Sequence, residues 1–177
     1  MLKSISKSRQ SGFTLVELGI VLALIGIGLF FAISKMQETG DSSRAQNVAN
    51  DISSVITGIN RFYSTSNQYP DKMDDDLIAN KAIPQRWVAS ATALTGPFGG
   101  TATLERTSAA LSAEATITIP SVPVRVCVEM GKMMASYPKI SVGGVAVKTP
   151  TTALDQAKLK TECEKGPTSM AFLFYKV

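Results

Sequence analysis

The sequence predicts an α+β protein in which one long N-terminal helix packs on an antiparallel sheet of about four strands. Three observations carry that expectation. Residues 18–34 form an uncharged, apolar run of 17. From Ala45 to Tyr63 apolar residues recur at every third or fourth position, the period of a helix with one buried face. Beyond residue 100, four segments alternate in polarity or are rich in β-forming residues, as half-buried strands do.

The apolar run is flanked asymmetrically. Lys3, Lys7 and Arg9 precede it without an acidic residue, Lys35 follows it, and Glu17 is the one charge between Arg9 and Lys35. Residues 13–34 would be about 33 Å long as a helix, which matches the hydrocarbon thickness of a bilayer. The basic leader keeps the amino terminus cytoplasmic and sends the residues after Lys35 across the membrane. In a secretory signal peptide the small residues of the cleavage site follow the apolar core, which is then discarded. Here the small residue, Gly12, precedes it, so a cut after Gly12 keeps the apolar segment as the mature amino terminus. Glu17 then needs a partner, because a carboxylate in hydrocarbon costs about 3 kcal/mol or more. Cleavage before Phe13 creates an α-amino cation four residues away. Such a pair about 4 Å apart, at an effective dielectric near 20, is worth about 4 kcal/mol before desolvation. It can form within a chain or between neighbouring subunits; the other reading is that Glu17 snorkels to the interface.

The helix continues past the membrane segment. Ala45, Val48, Ala49, Ile52, Val55, Ile56, Ile59, Phe62 and Tyr63 make one stripe, with Arg44, Asn47, Asn50, Asp51, Ser54, Asn60 and Arg61 elsewhere on the cylinder. A helix over residues 13 to about 64 follows, and Pro70 ends it by excluding Tyr69 from the helical region. Gly26, Gly28 and Gly40 are weak points, each costing about 1 kcal/mol relative to alanine. Residues 66–100 read as a connecting region with short helices. Asp74, Asp75 and Asp76 form the acidic first turn of one, which suits the helix dipole, and their spacing is not that of an EF-hand loop. Pro84 opens a turn containing Trp87, and Gly96, Pro97, Phe98, Gly99 and Gly100 make a strong turn signal. The predicted strands are 101–106, 115–119, 140–147 and 170–177, with helices over 123–134 and 151–164. Met130, Met133 and Met134 read as core fillers rather than cofactor ligands.

Composition narrows the function. A chain of 177 residues holds a leader, a long helix and one globular region, not two full domains. The net charge of +4 is mostly leader, since without Lys3, Lys7 and Arg9 there are 15 basic against 14 acidic residues. No basic cluster with interleaved aromatics marks the rest, so direct nucleic-acid binding is not expected. Histidine is absent, which removes the commonest general base and metal ligand, and no enzyme activity, cofactor or metal is expected. Cys127 and Cys163 are the only cysteines and lie in the part expected outside the cytoplasm, where a disulfide is the natural reading and two buried free thiols the alternative. Closing their 36-position separation stabilises by about 4 kcal/mol on the chain-entropy model.

Gly12 followed by Phe13, Thr14, Leu15, Val16, Glu17 and Leu18 and then an apolar helix resembles the class III leader of type IV prepilins. The motif covers residues 1 to about 35, and a looser likeness of layout covers the rest. The resemblance implies that a membrane-embedded prepilin peptidase cuts between Gly12 and Phe13 and methylates Phe13. It implies residues 1–12 as leader, 13–65 as the long helix with 13–34 as its transmembrane and assembly part, and 101–177 as the sheet region, with a disulfide-bounded C-terminal part. Glu17, fifth from Phe13, would pair with a neighbouring subunit's amine during polymerisation. Storage in the inner membrane, then extraction by an ATPase acting through a platform protein and passage through a secretin to an extracellular pilus, are implied as well. Type IVa pilins usually carry proline where this chain has Ser34, a departure that favours a major, type IVb-like subunit. A pseudopilin of type II secretion and a membrane-anchored binding domain that never polymerises are the alternatives.

Overall fold

The first element of the computed structural model, helix α1, runs from Leu15 to Phe62. Residues 14–66, 68–70, 73–107 and 113–176 are described. The chain divides into two units, Met1–Gly40 and Asp41–Val177. In the first, the helical side chains of Leu15, Phe30 and Phe31 are exposed to 88%, 71% and 65%, as expected of a cylinder apolar all round. Gly26, Gly28 and Gly40, the expected weak points, lie within continuous helix.

In the second unit the stripe on α1 is buried. Ala45, Ile52, Val55 and Ile59 are fully inaccessible and belong to the same cluster as the apolar face of the sheet. The sheet has seven strands: β1 (Val88–Ser90), β2 (Ala93–Thr95), β3 (Thr101–Arg106), β4 (Glu114–Val122), β5 (Lys139–Val142), β6 (Val145–Lys148) and β7 (Thr168–Tyr175). Their spatial order is β1-β2-β3-β4-β7-β5-β6, every pair antiparallel, so the last strand enters between β4 and β5. Opposed residues of β4 and β7, Ala115 with Phe174, Ile117 with Phe172 and Ile119 with Met170, put their side chains in the core. The two-residue period of a strand places them on one face.

Seven strands replace the expected four for identifiable reasons. The segment 140–147 is a hairpin, because Gly143 and Gly144 take φ of 58° and 82°, the left-handed pair that a tight turn requires. The connecting region adds the β1–β2 hairpin beside a 3-10 turn at Gln85–Trp87, and β2 leads through the expected glycine-rich turn to β3. Helix α2 (Asp74–Ala79) begins with the three aspartates as expected. Helix α3 (Val124–Met133) matches its prediction within a residue at each end. Helix α4 (Gln156–Cys163) starts later than expected and is capped by Asp155, whose carboxylate accepts from the Lys158 amide at 2.9 Å.

Two positions on α1 depart from the stripe. Asp51, expected on the polar side, is 6% exposed, and Phe62, expected in the stripe, is 39% exposed.

Candidate assembly and stabilising sites

Of the residues singled out in the leader junction, Gly12 and Phe13 lie outside the described residues, as does the leader itself. Glu17 is described. Its carboxylate oxygen Oε2 accepts from the Thr14 amide at 2.8 Å and from the Thr14 hydroxyl at 2.9 Å, and the Thr14 hydroxyl in turn accepts from the Glu17 amide at 3.3 Å. This is a capping box, in which threonine before the first turn and glutamate at its third position satisfy each other's exposed backbone donors. The local sequence dictates it, since threonine and glutamate three apart precede an unbroken apolar run. The amino-terminal end of the dipole favours the ionised carboxylate as well. Sequence reasoning names Thr14 within the leader motif but gives it no capping role, although its spacing from Glu17 is the signal for one.

Leu15–Ile33 is long and apolar enough to cross a membrane, by length and composition, and none of it is buried within the chain. A carboxylate thus sits within three residues of the start of an apolar helix whose whole circumference is open to lipid or to like helices. Chemically, it can accept hydrogen bonds from a cationic amine in a medium where such a pair is hard to dissolve.

The second unit holds a covalent site. Cys127 on α3 and Cys163 on α4 form a disulfide with Cα atoms 5.8 Å apart, and both are fully buried. The helices approach closely because residue 131 is glycine. A Cβ there would stand 2.6 Å and 2.7 Å from the two methyl carbons of the buried Leu159. Beyond the end of α3, the Lys148 ammonium on β6 donates to the Ala135 carbonyl and, at 2.7 Å, to that of Tyr137, tying the turn after the helix to the sheet.

A third arrangement ties α1 to the connecting region. The buried Asp51 carboxylate accepts from the Arg86 guanidinium through Nη2 and, at 2.8 Å, Nε, and from the Trp87 indole at 3.1 Å. Seven residues on, Gly58 touches the backbone of Ala82, whose carbonyl oxygen would lie 2.5 Å from an added Cβ. Sequence reasoning missed Asp51, because its partners are 35 and 36 residues away and no local pattern announces them. Tyr63 donates to Asp76 at 3.3 Å, and Tyr69 donates to Asn60. Burial, reinforced at Tyr63 by the Asp76 charge, pushes both phenols up to about 12. Among the described residues, no group of three or more acidic, cysteine or histidine side chains is gathered as a metal site would need.

Comparison with known proteins bears on both units. A family profile described as PilS N terminal matches residues 42–174, and one described as a prokaryotic N-terminal methylation motif matches residues 7–33. The major structural subunit of the bundle-forming pilus of Escherichia coli O127:H6 (strain E2348/69, EPEC) is 28% identical over 99 residues, 55% of this chain and 51% of that protein. The protein of that name from Escherichia coli O111:H- matches to the same extent. The chain spans about half the length of the curated relatives it matches. Among solved structures, the type IV b pilin from Salmonella typhi superposes with a TM-score of 0.59 at 19% identity, covering 72% of this chain and 97% of that one. TcpA, a type IV pilin from Vibrio cholerae El Tor biotype, gives 0.52 at 19%, covering 75% and 99%. At that identity the two structures speak for the fold alone.

Proposed function

From the premise that this chain belongs to the PilS family of type IV prepilins, we propose that it is a structural subunit of an extracellular type IV pilus. The prepilin peptidase cuts between Gly12 and Phe13 and methylates Phe13. The apolar segment, 13–34, holds the subunit in the inner membrane, with residues 41–177 on the far side. An assembly platform, its ATPase and an outer-membrane secretin serve the growing filament. The role is mechanical rather than catalytic: copies join through the apolar helix, and Glu17 accepts the neighbour's Phe13 amine.

One observation carries this reading: the methylation motif at residues 7–33 and a PilS head at 42–174 occur in a single chain, joined by one helix. The physical chemistry is consistent with that order of events. The capping box supports the carboxylate while it waits in lipid, and the cut removes Lys3, Lys7 and Arg9 from the cytoplasmic side while creating a cation four residues from Glu17. The amine pair, about 4 kcal/mol before desolvation, sets register; the apolar contacts of many copies hold the filament.

The experiment is electron microscopy of cells making the protein with and without Glu17→Ala, with the sheared surface fraction blotted for the subunit. Filaments are expected from the native chain, and processed subunit retained in the membrane from the variant. Native chain that is cleaved but gives no surface filament would refute the reading and point to a periplasmic pseudopilin.

A further inference from the structure

The second unit carries an open groove of about 590 Å³ along one flank of α1. Gln46, Asn50, Ser53 and Asn60 form its helix wall, and Met133 and Tyr175 stand on the facing side. Of all 13 lining residues none is charged, so a charged ligand finds no partner in it. Its polar side chains are partly committed already: the Gln46 amide donates to Asn50 at 3.1 Å within the groove, and Asn60 accepts from Tyr69, which lies outside its lining. Met133 and Tyr175, 38% and 39% exposed, are two of the three large apolar side chains that the described residues of this unit leave open to solvent.

The third is Phe62. Two residues, about 200° of helix rotation, separate it from Asn60, so it points from the opposite flank of α1. Its ring is braced edge-on against Tyr63, with centroids 4.9 Å apart, which fixes the direction of the knob. An apolar knob and an uncharged receptacle on opposed flanks of one element make a heterologous pair. Such pairs generate rings where the rotation between copies closes and open helical filaments where it does not.

We propose that the groove receives Phe62 of a second copy of this chain. This rests on the filament reading above and deepens it by naming a contact between heads. Charge favours this occupant, since an uncharged groove meets an uncharged ring. Size does too: one ring seated in one groove is far less than the roughly 20–30 residues a side of a free-standing interface, so two separate heads would not hold together through it. Copies already tethered by their apolar helices meet at high effective concentration, and there a small contact suffices to fix the angle between neighbours.

The test uses the full chain in assembling cells. Phe62→Cys combined with Met133→Cys is expected to give, after oxidation of sheared filaments, a ladder of dimers and higher multimers that collapses on reduction and is absent from either single variant. Filaments of normal yield that run as monomers, or as dimers already in the Phe62→Cys single variant, would overturn the proposal. Because cysteines can disturb the native bridge, a charge pair provides the second arm. Phe62→Glu or Met133→Lys alone is expected to reduce sheared filaments about tenfold or more, with membrane subunit unchanged, and the two together to restore them. Normal assembly of both single variants, or no recovery in the pair, overturns it equally. Absence of filaments from the native chain would refute the pilus reading itself.

Discussion

At the scale of single residues, Asp51 shows how a buried charge organises this head. Two of its donors come from Arg86 and one from Trp87, so the carboxylate fixes where the connecting region meets α1. Asp51→Ala leaves the buried indole without an acceptor and is expected to cost about 1–3 kcal/mol, read as a lower midpoint in urea unfolding. Gly58 makes the opposite kind of demand. Helix propensity alone favours alanine there by about 1 kcal/mol. The Ala82 carbonyl oxygen 2.5 Å from the new Cβ is main chain and cannot swing aside, so the clash wins and Gly58→Ala should destabilise by about 1–3 kcal/mol. An increase in the unfolding midpoint would show that the backbone yields. Tyr63 and Tyr69 predict an alkaline limit. In the unfolded chain a phenol ionises near 10.0; in the native head both hold their protons up to about 12. Between those values the unfolded state has released protons that the native state keeps, so stability is complete below pH 10 and declines as pH rises toward 12. Phenolate absorbance during a native titration should show two tyrosines ionising late.

At the scale of elements, α1 was the most legible part of the sequence. A run of 17 uncharged residues and then a stripe at helical spacing both register within a window of one or two turns. Helices α2 and α3 were legible for the same reason, through their acidic first turn and the proline before Val124. The hairpin of β5 and β6 was read as one strand because its turn is only Gly143 and Gly144 between β-forming residues. The hairpin of β1 and β2 was not read at all: at three residues each, these strands are too short to show a period. The place of β7 between β4 and β5 is non-local and has no signature in any window. Of the candidate sites, Glu17 was legible as a lone charge in an apolar run, whereas Asp51 looked like any polar residue on an amphipathic helix. The bridge from α3 to α4 is legible by counting cysteines, and its removal is a prediction at this scale. Replacing both Cys127 and Cys163 with serine should cost about 4 kcal/mol on the chain-entropy model, with an unfolding transition well below that of the native head. An unchanged transition would show that packing of Leu159 against Gly131 suffices.

At the scale of the whole molecule, the two units divide the work. The first offers an apolar helix with no protein cover and one carboxylate near its start; the second offers a closed core, a buried disulfide and exposed flanks that differ from one another. A polymer needs both, a common segment that every copy buries and a head whose surfaces set its angle to the next. Under the proposal, processing is the step that joins them: the one cut would free the apolar helix from its cationic leader and create the amine for Glu17 to accept. Its most direct test is the intact mass of the subunit recovered from filaments sheared off cells that make this chain. The mass expected is that of residues 13–177 with one added methyl group on Phe13 and the Cys127–Cys163 bridge intact. A filament subunit that still begins at Met1, or filaments that contain none of this chain, would contradict the account.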